Sequence, residues 1–237
     1  MHKDKTIAIM QPYFFPYIGY FQLINAVETF VLYDDVNFIK GGWINRNRIL
    51  LNSEAHIFNI TCKKISSFSK INQIEVGFTD SDKNKLLKKI EQSYKNAPYL
   101  KETLQVVNDG LKETRLNIAE VCYNCILSVI NYLGIETKIM ISSKDFPETC
   151  NLDRENRLIE IAKKDGKTNY LNAIGGKDLY DKDYFKQKGV NLFFIQTNKI
   201  EYQQFGNEFV PWLSIIDVMM FNSKEQIQKM LTEYTII

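Results

Sequence analysis

Apolar runs and a helical pattern alternate over the first fifty residues of the chain. Residues 6–10 are apolar and include β-branched side chains, which predicts a strand buried on both faces. Pro16 can open a helix, because its fixed φ and missing N–H suit the first helical position. One face of that helix carries Tyr17, Tyr20, Phe21 and Ile24. Residues 29–33 form a second apolar run, so the unit is predicted to be a right-handed parallel crossover of strand, helix and strand.

The same alternation returns in the second half of the chain. Strands are predicted over residues 137–141, 168–171 and 190–195, and helices over residues 152–164 and 183–188. Helical patterns fill the interval 80–134, and Thr114 is predicted to cap the last of these helices. The βαβαβ pattern predicts an α/β fold, with a mostly parallel sheet and flanking helices. We expect residues 1–237 to form a single α/β domain, with residues 80–134 as a helical insertion or subdomain within it.

Three further segments have weaker patterns. Residues 48–51 and 56–60 have the spacing of a hairpin, and residues 74–78 are predicted to form one more strand. Residues 212–221 predict a helix in which Asp217 lies among apolar side chains. If that carboxylate is buried, it needs a partner such as an arginine.

Composition and charge exclude several classes of protein. The chain is 45% hydrophobic and 24% charged, which is ordinary for a globular domain, and its net charge of +2 gives no case for a nucleic-acid partner. The sequence contains no apolar run of about 18 residues, so no membrane-spanning helix is predicted. No secretory signal is recognisable either, and we therefore expect a cytoplasmic location. The cysteines, Cys62, Cys122, Cys125 and Cys150, are too scattered for a disulfide framework, and no metal site is predicted.

Polar residues follow the first two predicted strands. Gln11 and Tyr13 come after the first, and Asp34 and Asp35 come after the second. Ligands of open parallel sheets bind beyond the carboxyl ends of the strands. The two adjacent carboxylates are the acid/base candidates, with Asp35 first, as base or ligand contact, and Asp34 second. The alternative is that one of them caps the following turn.

The loop after the second strand is rich in hydrogen-bond donors. Its predicted substrate-binding residues are Lys40, Trp43, Asn45, Arg46, Asn47 and Arg48. The two arginines can clamp a phosphate or carboxylate, and Trp43 or Tyr13 can stack on a ring. The alternative is a solvated hairpin with surface charges.

A glycine turn follows the predicted strand at residues 168–171. Its candidate substrate-binding residues are Asn172, Gly175, Gly176 and Asp178. Paired glycines let backbone N–H groups approach an anion, although a plain glycine turn explains the pattern about as well. We expect Asp35, Arg46 and Gly176 to meet around one anion-holding cavity. Ser142 and Ser143 stand near Lys144, but this loose spacing does not favour a nucleophilic serine.

Several segments carry a resemblance to a known family. They are QPYFFPYIGYFQLI at residues 11–24, LYDDVNFIKGGWINRNRI at 32–49, YKNAPY at 94–99, YLNAIGGKDLYD at 170–181 and LSIIDVMMFN at 213–222. The chain resembles the WbqC-like family, bacterial proteins often encoded among genes for O-antigen and other surface polysaccharides. The resemblance implies a transferase of that biosynthesis, adding an acyl or aminoacyl group to a nucleotide-linked amino sugar. An acyl donor or acyl carrier protein is then a possible partner, and the sequence identifies no cofactor.

Two other functions fit the same residues. The first unit is similar to nucleotidyltransferases and synthetases in which a glycine-flanked H-x-G-H follows the first strand. This chain has no histidine between Met10 and Leu50, which argues against adenylyl transfer by that mechanism. A HUP/Rossmann-like architecture that holds a nucleotide is still compatible with it. The alternatives are therefore a nucleotide-dependent ligase or nucleotidyltransferase without those histidines, or a non-catalytic binding protein of the polysaccharide pathway.

Overall fold

A computed structural model describes residues 1–113, 116–206 and 208–237. The strands of the described residues are β1 (Thr6–Met10), β2 (Thr29–Leu32), β3 (Arg46–Leu51), β4 (Glu54–Asn59), β5 (Lys138–Ile141), β6 (Asn169–Ala173), β7 (Asn191–Thr197) and β8 (Tyr234–Ile236). The α-helices are α1 (Ile18–Asn25), α2 (Asp80–Ser93), α3 (Leu100–Gly110), α4 (Ile118–Leu133), α5 (Ser142–Asp145), α6 (Arg154–Lys164), α7 (Lys182–Gln187), α8 (Ile215–Phe221) and α9 (Lys224–Met230).

The central sheet has the strand order β5-β2-β1-β6-β7-β8. Its first five strands are parallel, and β8 joins the edge antiparallel to β7. Ile7 of β1 pairs with Thr29 of β2, and Met10 pairs with Leu32, so these strands end level with each other. The predicted α/β fold, with a mostly parallel sheet and flanking helices, is confirmed and is Rossmann-like.

Helices cover both faces of the sheet, which explains why the inner strands are almost wholly apolar. Ile7 and Ile9 of β1 share one core cluster with Leu158 of α6 and Phe185 of α7. Ala8, which points the other way, belongs to the larger cluster formed with α1, α4 and α8. Burying each large aliphatic or aromatic side chain contributes about 1.5–3 kcal/mol, so the alternation within β1 fixes its register.

The helices α2, α3 and α4 pack into the larger of these two clusters. Cys122 and Cys125 of α4 are fully buried there, and burial raises the pKa of both thiols well above the ordinary value. The C-x-x-C spacing is therefore part of the core. Thr114, the predicted cap, lies outside the described residues, and Asn117 caps α4 by accepting from the Glu120 N–H at 3.1 Å. Among the described residues, no helix has the length and apolarity to cross a membrane.

The weaker predictions from the sequence are confirmed in part. The predicted hairpin forms as β3 and β4, and its turn residues Asn52 and Ser53 both have positive φ, 52° and 64°. The predicted strand at residues 74–78 is wrong, because this segment makes only isolated bridges. The last helix before β8 was not expected, and the helix predicted from Trp212 begins at Ile215 instead. It cannot begin earlier, since Trp212 has a φ of 61° and Ser214 is the N-cap.

Asp217 of α8 is fully buried and accepts three hydrogen bonds. Its donors are the Tyr94 hydroxyl at 2.7 Å, the Tyr202 hydroxyl at 2.6 Å and the Gln204 side-chain amide at 2.7 Å. The expected arginine partner is therefore wrong. Tyr94 also accepts from the Leu50 N–H at 2.7 Å, so the group joins β3, the end of α2, α8 and the segment after β7. Burial raises the pKa of Asp217, and the three hydrogen bonds oppose that rise.

We expect Tyr94→Phe to destabilise the fold, because it leaves the Leu50 N–H and one oxygen of Asp217 without partners. A buried unsatisfied group costs about 1–3 kcal/mol, and this change creates two of them. Chemical denaturation measures the loss. Tyr132→Phe is the matched control, since Tyr132 is half-buried and its hydroxyl has no hydrogen-bond partner among the described residues. Equal stability of the two variants would contradict the structural role of Tyr94.

We expect Asp217 to make the fold less stable as pH rises. The folded chain keeps a proton on Asp217 at pH values where the unfolded chain has released it. The free energy of unfolding therefore falls as pH rises from the ordinary pKa of 3.8 towards the raised folded value. Unfolding of the wild type and Asp217→Asn, followed across this window, should show their difference shifting in favour of the variant. The exposed Asp109→Asn is the control, and a pH-independent difference would count against the raised pKa.

Candidate functional site

A cavity of about 770 Å³ opens at the carboxyl ends of β1 and β6. In chain order the sheet grows outward from β1 through β2 to β5, and then restarts on the other side of β1 with β6 and β7. The cavity thus lies where the strand order reverses, the place at which open α/β sheets bind ligands. Its polar lining includes Gln11, Tyr13, Tyr33, Asp35, Lys70, Arg154, Arg157, Asn172 and Tyr180.

Asp35 is held on this cavity wall by two short hydrogen bonds. Its Oδ2 accepts from Arg157 Nη2 at 2.6 Å, and its Oδ1 accepts from the Ser142 hydroxyl at 2.6 Å. Asp35 and Arg157 are 7% and 3% exposed. Arg157 is oriented in turn by donating from Nε to the Thr149 hydroxyl at 3.2 Å. The carboxylate is therefore fixed by groups from α5 and α6, and each of its oxygens keeps capacity for a further donor.

Asp34 is held by a different set of donors. Its oxygens accept from the Ser143 N–H at 3.0 Å, the Ser143 hydroxyl at 2.7 Å and the Asn72 side-chain amide at 3.2 Å. The Ser142 hydroxyl also lies 3.0 Å from Asp34 Oδ1. A hydroxyl has one proton to donate, and the shorter distance assigns it to Asp35. Ser142 is fully buried, so it holds the carboxylates and is unavailable as a nucleophile.

Tyr33 packs against the guanidinium of Arg157. The Arg157 Cζ lies 4.7 Å from the ring centroid, which is cation–π distance. Burial opposes the charged form of Arg157, but hydrogen bonding to Asp35 and the neighbouring Tyr33 and Asp35 outweigh it and raise the pKa of Arg157. Burial also raises the pKa of Tyr33, and Arg157 opposes that rise. The cation and its two partners therefore form one interlocked group in the cavity wall.

Positive charge exceeds negative charge around the cavity. Its charged lining residues are Lys70, Arg154, Arg157 and Asp35. Arg157 is paired with Asp35, whereas Lys70 and Arg154 form no ion pair with the carboxylates of the described residues. Tyr180 also lines the cavity. Burial raises the pKa of Tyr180, and the positive charge of Arg154 opposes that rise. The free cations favour an anionic ligand.

The glycine turn after β6 gives the cavity an open backbone edge. A Cβ on Gly176 would overlap the side-chain amide of Asn172, so only glycine allows this close approach. A Cβ on Gly175 would meet nothing within 4 Å. The Asn172 Oδ1 accepts from the Ala173 N–H at 2.9 Å, while its amide nitrogen has no partner among the described residues. That N–H₂ group is therefore available as a donor to a ligand.

The structure brings together part of the predicted set. The residues that line the cavity are Gln11, Tyr13, Asp35, Asn172, Gly175 and Gly176. Asp34 lies beside them but lines a second cavity of about 440 Å³, together with Asn72 and Ser143. Lys40 and Asp178 are exposed and do not line the first cavity.

Residues 43–48 do not line this cavity, so the predicted meeting of Arg46 with Asp35 and Gly176 around it does not occur. Arg46 donates to the carbonyls of Gly41 and Gly42, and with Arg48 it flanks the ring of Trp43. The amide of Asn47 donates to the Phe14 and Phe15 carbonyls at 3.0 and 2.8 Å, and that of Asn45 to the Ile60 carbonyl at 3.1 Å. The hairpin β3–β4 is separate from the central sheet, which explains why this segment is not at the strand ends.

Sequence reasoning missed the residues that orient Asp35. Arg157 falls inside the helix predicted over residues 152–164, where nothing in the pattern connects it with Asp35, and Ser142 stands out only through its loose spacing to Lys144. The available signal for Arg157 was its place in a buried helix face, beside Leu158 and Ile161, where a cation requires a partner. Lys70 lies in a loop distant in sequence, and no pattern connects it with the strand ends.

Replacing one partner of the buried Asp35–Arg157 ion pair should lower the free energy of unfolding more than replacing both partners. Arg157→Met leaves Asp35 buried without its cation, and Asp35→Asn leaves Arg157 without its anion; each should lower the free energy of unfolding by about 3–5 kcal/mol. The double variant removes both charges, so its cost should be well below the sum of the two. Urea denaturation of the four proteins measures this coupling. Additive costs would show that the pair does not contribute as a unit.

The profile of the WbqC-like protein family matches residues 11–229. Over 221 residues the chain is 26% identical to the uncharacterized protein Rv1507c of Mycobacterium tuberculosis (strain ATCC 25618 / H37Rv), covering 92% of this chain and 94% of that protein. No solved structure matches the chain. The family match includes the residues that line the cavity except Ile9 and Met10 of β1, and it confirms the resemblance found in the sequence. The chain therefore belongs to the WbqC-like protein family.

Proposed function

We propose that the chain is a cytoplasmic transferase that adds an acyl or aminoacyl group to a nucleotide-linked amino sugar in surface-polysaccharide biosynthesis. The observation that carries this proposal is the cavity at the strand-order reversal, which combines an oriented carboxylate with two unpaired cations. Nucleotide-linked sugars bring a diphosphate together with polar rings. That combination needs cations, backbone or amide donors, and a carboxylate in one cavity.

The lining residues divide into groups that suit the parts of such a substrate. Lys70 and Arg154 supply positive charge for the diphosphate, and the turn at Gly175 lets the ligand approach the backbone. Tyr13 offers a ring face for stacking, since it is half-buried and lines the cavity. Among the described residues, Asp35 is the one carboxylate that lines the cavity, and it attracts the ammonium form of an amino sugar.

The proposed reaction joins the amine of the sugar to the carbonyl carbon of an activated acyl donor. A C–N bond forms, and the bond from the acyl carbon to its leaving group breaks. The ammonium must first lose a proton, and Asp35 accepts a hydrogen bond from the nitrogen as that proton passes to solvent. The second amine proton leaves with the departing group. Because Arg157 and Ser142 already hold both oxygens of Asp35, its main contribution is to orient the amine.

We expect calorimetric titration with UDP- and dTDP-linked amino sugars to show binding that depends on Arg154. A charge-assisted hydrogen bond is worth about 1.5–3 kcal/mol, so Arg154→Gln should weaken binding about tenfold or more. Lys101→Gln, a change of an exposed cation on α3, is the matched control and should bind as the wild type does. If no nucleotide-linked sugar binds, or if both variants bind equally, this assignment of the cavity is wrong.

The same proteins test the reaction itself. Incubation with a nucleotide-linked amino sugar and acyl thioesters, read by mass spectrometry, should give the N-acylated sugar. Magnesium-dependent release of pyrophosphate from a nucleoside triphosphate would instead support a ligase or nucleotidyltransferase, which the Rossmann-like sheet also suits. Binding of the nucleotide sugar without turnover by any donor would favour a non-catalytic binding protein of the pathway.

A further inference from the structure

A cleft with aromatic walls lies beside the end of β7, and it is separate from the cavity that contains Asp35 and from the smaller cavity that contains Asp34. It has a volume of about 480 Å³, and its aromatic walls are Tyr17, Tyr202, Phe209 and Trp212. The Tyr17 and Trp212 ring centroids are 6.0 Å apart, and those of Tyr202 and Phe209 are 5.0 Å apart. This aromatic cleft shares no lining residue with the cavity that contains Asp35.

Trp212 is presented to solvent by a strained and firmly held backbone. Its side chain is 65% exposed, and its φ of 61° is unusual for a residue with a bulky side chain. The Trp212 carbonyl accepts from Arg48 Nη2 at 3.0 Å. The Ser214 N–H donates to the Arg48 carbonyl at 2.8 Å, and the Ser214 hydroxyl donates to the Phe15 carbonyl at 2.6 Å. Strain retained by such well-determined surroundings is a feature of ligand-binding sites.

The other walls of the aromatic cleft are also fixed. The ring of Tyr17 lies over Gly19, where any Cβ would overlap it, so glycine at that position is a condition for this placement. Tyr202 donates its hydroxyl to the buried Asp217 at 2.6 Å, which leaves the ring to face the cleft. Both rings are therefore in place before a ligand arrives, and binding would cost little side-chain entropy.

Charge distinguishes the aromatic cleft from the cavity. Its charged lining residues are Lys199 and Glu201, which neutralise each other in an ion pair at 2.8 Å. Asn198 and Thr197 add an amide and a hydroxyl, so the rim offers both donors and acceptors. The Tyr17 and Trp212 rings are inclined at 57°, which does not form the parallel slot that a planar base would fill. An uncharged ring with an apolar face and hydroxyls on its edge fits these features.

We propose that the aromatic cleft binds a neutral saccharide, with one sugar ring packed on Trp212 and Tyr17. This inference goes beyond the transferase function and does not depend on it, because the cavity and the aromatic cleft have separate walls, and the first is positively charged whereas the second is neutral. The ligand would place the apolar C–H face of the ring on the aromatic walls. Its hydroxyls would reach Asn198 and the Lys199–Glu201 pair.

Trp43 and Trp212 are the two tryptophans of the chain, which gives a direct test. In Trp43→Phe, all tryptophan fluorescence comes from Trp212. We expect N-acetylglucosamine, galactose or cellobiose to change this fluorescence saturably at up to about 100 mM, a range suited to weak, millimolar binding. Uridine and the anionic aromatic dye 8-anilinonaphthalene-1-sulfonate are the comparison ligands.

Ligand-observed saturation-transfer NMR gives a readout that does not rely on tryptophan. We expect Trp212→Ala to weaken sugar binding at least tenfold, and Phe68→Ala, a change at a side chain 91% exposed elsewhere, to leave it intact. Thermal melting checks that both variants fold. The proposal is overturned if no sugar gives a saturable response, if Trp212→Ala binds as the wild type does, or if uridine or the dye binds here and sugars do not.

Discussion

The buried ion pair of Asp35 and Arg157 is the interaction on which the candidate site depends. Asp35 follows β2, Arg157 lies in α6, and Ser142 opens α5 directly after β5, so their hydrogen bonds join three separate segments at one edge of the sheet. A buried carboxylate is tolerated only when a cation and further donors compensate for its lost hydration. Arg157 and Ser142 therefore both orient Asp35 and compensate for its lost hydration. The position of the carboxylate is fixed by the same interactions that make its burial stable.

The same pairing limits what Asp35 can do chemically. Arg157 Nη2 donates to Oδ2 and the Ser142 hydroxyl donates to Oδ1, both at 2.6 Å, so fewer lone pairs of the carboxylate are left to accept a proton from a substrate. Asp34, one residue earlier, is turned towards a different cavity and accepts from Ser143 and Asn72. Asp35 thus faces the larger cavity and Asp34 faces the smaller one, and Ser142 lies between the two carboxylates. Adjacency in sequence suggests a catalytic pair, but successive residues of an extended chain point in opposite directions, which separates the roles of Asp34 and Asp35.

The sequence was sufficient for the parts of the fold that follow from periodicity. β1 and β2 are apolar after their first residues, Thr6 and Thr29, because both faces are covered. The ends of these strands correctly locate Gln11, Tyr13 and Asp35 on a common edge. Periodicity carries no information about loops that fold back over the core. Arg46 and Arg48 come soon after β2 in sequence, yet they belong to a hairpin outside the main sheet. The sequence correctly indicates that this segment is rich in hydrogen-bond donors. In the structure, however, the two arginines flank the ring of Trp43 in their own segment.

The segment between β1 and α1 connects the two clefts. Tyr13 lines the charged cavity and Tyr17 lines the aromatic cleft. Burial raises the pKa of Tyr13, and the neighbouring Tyr17 raises it further. Between them, the turn at Phe14 and Phe15 is held by Asn47 and Ser214, which lie in β3 and just before α8. One short segment, fixed from two sides, therefore sets the positions of both ring faces. A change in this turn would move Tyr13 and Tyr17 together, so the turn is a direct covalent link between the walls of the cavity and those of the aromatic cleft.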